Sequence, residues 1–450
     1  MKRLLLIFTI LLGSSICYAE ENSAILKLDF PFFDLPYQME AMNTVGYGFF
    51  SSYDNPSMAQ SSAVAVDVFS SFHFGMDKLQ DRIGRDKFWK YLVVDIATGL
   101  GDYLLCKIPG GDGWVHEEFH RSIMSRFGVN SFDMIYTFPI FSSTVSVNHV
   151  SDEDLERFKA ESPADFIRMH AAGIEGTYVL IEKLQQNNFF YRQEYFNEAL
   201  YWFGLVAEVP YVIGAALPLS DSMASDSNDI AERDFTGNDV RAWVYDLFRP
   251  EEPYSARGIH SSGVGFKRNI NTADLTNEET AYLKKQGWWQ IANFASPMLY
   301  GFRSLPLGDT DIRWNFAFRY NLTSFGTDFS LITLWNIKQF NIAGKIHNYM
   351  NYEHYFPAIE VALIDFPITF TPKFGLLISP CIMIGMQPSD QNFKTSSPEF
   401  FGLLSCRVDF NVSKHFLPYF EFKMKTDGWV SGDEYLNKNV SGIIGLSVRI

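Results

Sequence analysis

The chain has 450 residues, a formal net charge of −15 and 47% apolar residues. That length points to two domains or one elaborate domain, and the apolar content excludes a disordered chain. The acidic balance, with no basic stripe to meet phosphates, excludes a nucleic-acid partner. Aromatic residues reach 16%, with 42 Phe and 22 Tyr, an abundance typical of membrane-interface belts.

Residues 1–19, MKRLLLIFTILLGSSICYA, have the make-up of a secretory signal. Lys2 and Arg3 form the charged start, Leu4 to Leu12 the apolar core, and Cys17-Tyr18-Ala19 the cleavage site. Export is therefore expected. Cleavage would leave Cys106, Cys381 and Cys406, too few for a disulfide framework, although a Cys381–Cys406 bridge is geometrically conceivable. Residues 20–84 read as a mixed amino-terminal segment.

Residues 85–300 carry helix punctuation. The glycine-rich PGGDG and Gly128 bracket a helix from about Asp112 to Phe127. Within it, HEEFH places His116 and His120 four residues apart, on one helical face, where both can ligate one metal ion. Glu117 lies beside them and can take the proton of an activated water. Ser151 with Asp154 reads as an N-cap, and Ser162-Pro163-Ala164-Asp165 opens a long helix running to about Gln186. Residues 199–219 are apolar but are interrupted by Glu208, Pro210 and Pro218. They suggest a buried helix, or a helix pair broken near Pro210, rather than a membrane span. Residues 220–234 read as an exposed acidic loop, and Thr276 with Glu279 as a capping box.

A zinc site needs a third protein ligand and an open position. Position 126 is Arg126, so the longer motif ending in a third His is absent. Glu175, in the middle of the helix that begins at Pro163, is the candidate third ligand. Its neighbours Ala171, Ala172, Gly173 and Gly176 are small, and two glycines in a helix call for a packing reason. Residues 112–186 thus resemble the glutamate-zincin metallopeptidases. That resemblance implies His116, His120 and Glu175 as ligands of Zn2+ and Glu117 as general base. Glu182 is the second choice of ligand, and His170 a rival better suited to a structural role. Arg168 shares the face of Glu175 and Glu182, which leaves a buried ion-pair cluster as the alternative. Tyr178 and His260 are candidate oxyanion donors.

From about residue 301 to 450 the pattern turns to period two. In IRWNFAFRY, Ile312, Trp314, Phe316, Phe318 and Tyr320 alternate with Arg313, Asn315 and Arg319. Phe420, Phe422 and Met424 alternate with Glu421, Lys423 and Lys425 in the same way. About eight such strands are expected, enough for a small antiparallel transmembrane β-barrel filled by its own side chains. A β-sandwich with an aromatic core is the soluble alternative. The ending GLSVRI resembles the carboxyl-terminal assembly signal of bacterial outer-membrane proteins, with Ile450 in place of an aromatic residue.

The expected fold is α+β, a helical zincin-like domain followed by the barrel. The expected function is a zinc-dependent endopeptidase anchored in the bacterial outer membrane, its helical domain periplasmic. The substrate would be a protein or peptide of the envelope, and the barrel's partner the lipid bilayer. The alternative is a non-enzymatic outer-membrane protein with a structural or vestigial HExxH.

Overall fold

The computed structural model describes residues 25–45, 55–83, 88–136, 146–191, 197–218, 221, 227–371 and 374–450. The expected signal segment, residues 1–19, lies outside them. Nine α-helices occur among the described residues: α1 (Tyr37–Val45), α2 (Met58–Ile83), α3 (Phe88–Leu105), α4 (Asp112–Arg126), α5 (Asp152–Glu161), α6 (Pro163–Tyr191), α7 (Asn197–Ala215), α8 (Asp239–Phe248) and α9 (Asn277–Trp289). The caps behave as the sequence suggests. Ser151 accepts from the Asp154 amide, α6 opens at Pro163, and Thr276 and Glu279 form a reciprocal capping box. Helix α7 continues through Pro210. No helix of the described residues is long and apolar enough to cross a membrane.

The second half forms strands β4 (Leu305–Pro306), β5 (Arg313–Thr323), β6 (Gly326–Ile337), β7 (Phe340–Asn351), β8 (His354–Ile364), β9 (Phe366–Thr371), β10 (Phe374–Pro388), β11 (Pro398–Asn411), β12 (Phe416–Lys425) and β13 (Asn439–Arg449). With β1 (Lys27–Leu35), from the amino-terminal segment, they make an eleven-stranded sheet in the order β1-β13-β12-β11-β10-β8-β7-β6-β5-β4, β9 pairing with β10. Neighbours run antiparallel. Strands β2 (Phe132–Asp133) and β3 (Val147–Asn148) form a separate ribbon. Cys381 and Cys406 are free thiols.

The expected closed barrel of about eight strands is not what forms. The sheet is open, and helical segments bind groups along its two edges where a closed barrel would have a pair of strands. At the β1 edge, the Asp29 amide donates to both carboxylate oxygens of Asp67 on α2 at 3.0 Å. Gln60 on the same helix donates to the Pro31 carbonyl at 3.1 Å. At the β5 edge, the Phe318 amide donates to the Ala295 carbonyl at 3.1 Å and the Tyr320 amide to the Asn293 side chain at 2.9 Å. Trp243 of α8 donates to the Thr323 carbonyl at 2.8 Å. Backbone groups bound in this way offer no template for a further strand.

The expectation that the barrel's own side chains fill it is also corrected. Helix α6 lies along the polar face of the sheet. Glu182 pairs with Lys345 of β7 at 2.5 Å, Gln185 accepts from Arg319 of β5 at 3.1 Å, and Lys27 of β1 donates to Tyr191 at 3.1 Å. A carboxylate on a helix here answers a cation on a strand, because neither can be buried alone. The other face is apolar. Val361, Ile382, Leu404, Met424 and Val440 sit opposite one another in one row across β8, β10, β11, β12 and β13, each between 42% and 61% exposed.

If the Glu182–Lys345 pair couples helix to sheet, Glu182→Ala leaves Lys345 with only its cross-strand neighbour Glu360 as counter-charge and should cost about 1–2 kcal/mol. Glu182→Leu combined with Lys345→Met should recover part of that loss, with His347, 3.6 Å from Glu360, left to answer that carboxylate. Denaturation midpoints of the wild type, both single variants and the double variant measure the coupling.

Candidate metal centre

Helix α4 begins at an extended Gly111, carries Asp112 in its first turn and Arg126 in its last, and ends at Phe127. Acid at the start and base at the end both suit the helix dipole. Most of its residues are buried, from Trp114 through Ser125, because α6 packs closely along it. Two glycines of α6 permit that approach. A Cβ on Gly176 would press on the Phe119 ring at 2.9 Å and the Val115 carbonyl at 3.0 Å. A Cβ on Gly173 would fall against Nε2 of both His116 and His120. The packing reason for Gly173 and Gly176 is therefore contact with α4.

The two histidines share a face as their spacing requires, with ring centroids 5.1 Å apart. His116 Nδ1 lies 3.1 Å from Glu208 Oε1 of α7, and His120 Nδ1 lies 2.5 Å from the Met169 carbonyl of α6. With Nδ1–H donated in each ring, Nε2 is the atom of each imidazole that would ligate a metal ion on losing its proton. They converge on Asp239, the first residue of α8. Asp239 Oδ2 is 3.2 Å from His116 Nε2 and 3.6 Å from His120 Nε2. Ligand atoms around a tetrahedral ion with bonds near 2.0–2.1 Å lie about 3.3 Å apart, so each Nε2 stands from Asp239 Oδ2 at the spacing of such a set. His120 Nε2 is buried and makes no hydrogen bond. An unsatisfied buried imidazole nitrogen is costly unless something binds it, and the residues present fit a metal ion. Among the described residues, His116, His120 and Asp239 are the group able to hold one.

Glu175 is not brought to this point. It lies two residues, about 200° of helix rotation, from Gly173, and so faces the sheet side. There it accepts from Arg168 at 2.9 Å and from the Gly432 amide at 2.7 Å. Arg168 and Glu175 thus form the buried pair weighed as an alternative for this face. Glu182 answers Lys345. His170 is a core residue between Asp246 and Thr236, at 2.9 Å from each. Neither oxyanion candidate lines the cavity at the metal centre: Tyr178 donates to Gln290 at 2.7 Å, and His260 packs with Arg233 and Ser262.

Sequence reasoning did not find Asp239, Glu208 or Tyr211. Asp239 follows the N-cap Asn238, whose side chain accepts from the Arg241 amide. An acid directly after an Asn cap is a legible helix start, yet nothing in the sequence ties it to HEEFH. Glu208 was visible as an acid inside an apolar run. It also accepts from Thr177 at 3.1 Å. Tyr211 accepts the Asp239 amide at 3.0 Å.

His116, Glu117, Glu208, Tyr211 and Asp239 line a cavity of about 830 Å³. Burial pushes the Glu117 carboxyl well above the usual range. His116 opposes that shift, while Asp133, Asp239 and Asp234 add to it. Burial disfavours a charged His116, but Glu208 and Asp239 outweigh it and hold its pKa well above normal. Asp239 is also penalised by burial, yet His120 and His116 hold its carboxyl well below normal. Burial lifts Asp112 to about 6, reinforced by Glu208, and Asp234 to about 8, reinforced by Asp239.

Searches of protein-family models, curated proteins and solved structures each found no match to this chain.

The geometry makes Gly173→Ala a selective probe. A methyl group there takes the space between the two Nε2 atoms, while Ala in place of Gly favours the helix by roughly 0.5–1 kcal/mol. The two buried rings must move to admit that Cβ, a strain of about 1–3 kcal/mol that outweighs the helix gain, so the metal-free variant should melt somewhat lower and bind zinc at least ~10²-fold more weakly. Calorimetric titration of zinc into metal-free protein measures this, and undiminished affinity would remove Gly173 from the site.

Proposed function

We propose that this protein is a zinc-dependent metallohydrolase acting on peptide bonds. Its ligands would be His116, His120 and Asp239, with Glu117 as general base. The carrying observation is the convergence of two Nε2 atoms, their Nδ1 partners already engaged, on one aspartate oxygen beside an unpaired glutamate in a cavity. Two imidazoles and a carboxylate suit zinc and leave a position open. A bound zinc ion supplies Lewis acidity to water and to the substrate carbonyl. Glu117 receives the proton of the attacking water and returns it to the leaving amine, a role suited to a carboxyl with a raised pKa. Glu208 and the Met169 carbonyl fix the histidine tautomers. The Tyr211 hydroxyl donates to the oxyanion that develops on the carbonyl.

We further propose that the sheet sits in a membrane, with export to the bacterial outer membrane as the setting. Five outward apolar side chains in register form a broad apolar surface, more than single surface hydrophobes account for. Charged residues of the same strands pair on the other face instead, Arg407 with Asp29 and Lys423 with Asp433. Helices and turns take several of the edge groups that lipid could not satisfy.

The site is tested by four variants measured for zinc content and peptide hydrolysis. His116→Ala and Asp239→Ala should lose the metal, and Glu175→Gln should keep it. Glu117→Gln should keep the metal and the fold while hydrolysis falls at least ~10²-fold. Wild-type protein that binds no zinc would overturn the reading. Tightly bound zinc without hydrolysis would favour the alternative, a non-enzymatic membrane protein with a structural metal.

The membrane assignment rests on facing. Leu404→Arg near the midplane should cost about 2–4 kcal/mol of folding into bilayers. Recovery of folded Leu404→Arg protein from the aqueous fraction, with wild-type stability, would defeat the assignment.

A further inference from the structure

Helix α3 is inside out. Among its described side chains, every exposed one from Phe88 to Leu104 is apolar or aromatic, whereas Asp95, Thr98 and Asp102 are buried. A surface helix in water shows the reverse pattern. Trp89, Val93, Ile96, Leu100 and Leu104 recur at steps of three and four and so form one outward stripe, each between 41% and 71% exposed. Asp95 and Asp102 would keep a lone helix of this sequence out of lipid. With both buried, only the apolar side is left to face outward.

The helices on either side of α3 carry it from one edge of the sheet to the other. On one side is α2: Asp102 Oδ1 lies 2.5 Å from His73 Nε2, and a Cβ on Gly101 would run into the Phe72 ring. Helix α2 in turn binds the β1 edge through Asp67 and Gln60. On the other side Tyr103 meets Phe203 of α7 edge-on, with ring centroids 6.3 Å apart. Trp202 of α7 donates to the Leu299 carbonyl at 3.0 Å, near Ala295, whose carbonyl binds β5. Helix α7 repeats the inversion, with Val206, Ala207 and Pro210 exposed and Glu208 buried. The sheet has the same order, apolar side chains outward and charged pairs inward.

From Trp89 to Leu104 the stripe rises about 22 Å at 1.5 Å per residue, close to the ~25 Å apolar band of outer-membrane proteins. Phe88 and Trp89 stand at one end and Tyr103 at the other, as aromatic residues do at the two borders of a bilayer. One turn beyond, the Lys107 ammonium lies over the Tyr103 ring at 5.6 Å. A protein partner would account for an apolar stripe, but not for its aromatic borders or for the same inversion on α7 and the sheet. A bilayer accounts for all three.

We propose that the outward face of α3 lies against the hydrocarbon of a bilayer, in a helical wall that continues the sheet's apolar surface between its two edges. The metal cavity then opens where this wall meets water. Its lining takes Tyr103, Val206 and Ala207 from the wall, and exposed Lys107 and Glu232 from beyond it. The proposal rests on the membrane reading of the sheet for its setting, so the test reads helix and sheet separately. Nitroxide labels would be placed at Val93→Cys, Ile96→Cys, Leu404→Cys and Glu232→Cys, one at a time, in protein whose own cysteines are replaced by Ser, reconstituted in phosphatidylcholine vesicles. Oxygen concentrates in hydrocarbon, and a polar nickel chelate stays in water. Labels at Val93, Ile96 and Leu404 should be relaxed more by oxygen than by nickel, and the label at Glu232 the reverse. Two sites on α3, with a circular dichroism spectrum of each labelled protein, separate lipid contact from a disturbed fold. Nickel dominance on α3 with oxygen dominance at Leu404 would overturn the proposal and leave the sheet in its membrane. Nickel dominance at Leu404 as well would sink both readings. Labels on α3 that neither reagent reaches would reveal a covering protein surface, such as a second copy, and would equally overturn the proposal. Oxygen dominance at Glu232 would overturn the placing of the cavity mouth in water.

Discussion

Helix α6 meets two unlike environments on opposite sides, and both halves of the molecule depend on that. Arg168, Glu175 and Glu182 recur every seven residues, so they stack along one stripe. That stripe binds the Val430 carbonyl, the Gly432 amide and Lys345. The opposite stripe offers the Met169 carbonyl, Gly173, Gly176 and Thr177 to α4 and α7. Salt-bridged groups on one side hold the helix to the sheet. Missing side chains on the other let the histidine helix come close enough for His120 to reach a main-chain carbonyl. Moving α6 would therefore disturb the ion pairs and the metal centre together.

The same helix explains why the sheet is open. A small closed barrel has room only for its own side chains, whereas this sheet must accommodate a 29-residue helix against its polar face. Edge groups that would have paired in a closed barrel are taken instead by Asp67, Gln60, Asn293 and the Ala295 carbonyl. Charge is buried on one side, where helices answer it, and apolar bulk is left on the other.

What could be read from the sequence follows the range of the interactions involved. Helix α4 is set by glycines and charges within a few residues of its ends, and the His116–His120 face by helical periodicity alone. Alternation in β5 and β12 announced strands with two unlike faces. It was silent on what would cover the polar face, since a lysine facing water and Lys345 facing Glu182 leave the same pattern. Strand β1 escaped because Pro31 and a shift in register between Pro31 and Phe33 break its alternation. The third carboxylate escaped for a different reason. Glu175 had the nearer position and small neighbours, but those neighbours serve α4 from the opposite side of the helix. Asp239 comes from a separate helix, and no local rule links residues joined only by packing.

Distance in sequence is offset by rigidity in space. Helix α8 places Asp239 at one end and buries Asp246 near the other. Asp246 binds Lys159 of α5 at 2.7 Å, His170 of α6 at 2.9 Å, and Arg257. Burial alone would raise its pKa, but Arg257, His170 and Lys159 together hold its carboxyl well below normal. A carboxylate with three charged or polar partners on separate elements cannot shift without breaking several bonds at once. One of those partners, His170, follows Met169, whose carbonyl orients His120. The anchor of the helix that carries the aspartate thus adjoins the residue that orients a histidine. Such shared support keeps the three candidate ligand atoms within 4.8 Å of one another before any ion arrives, and a site assembled in advance loses less of its binding energy to ordering.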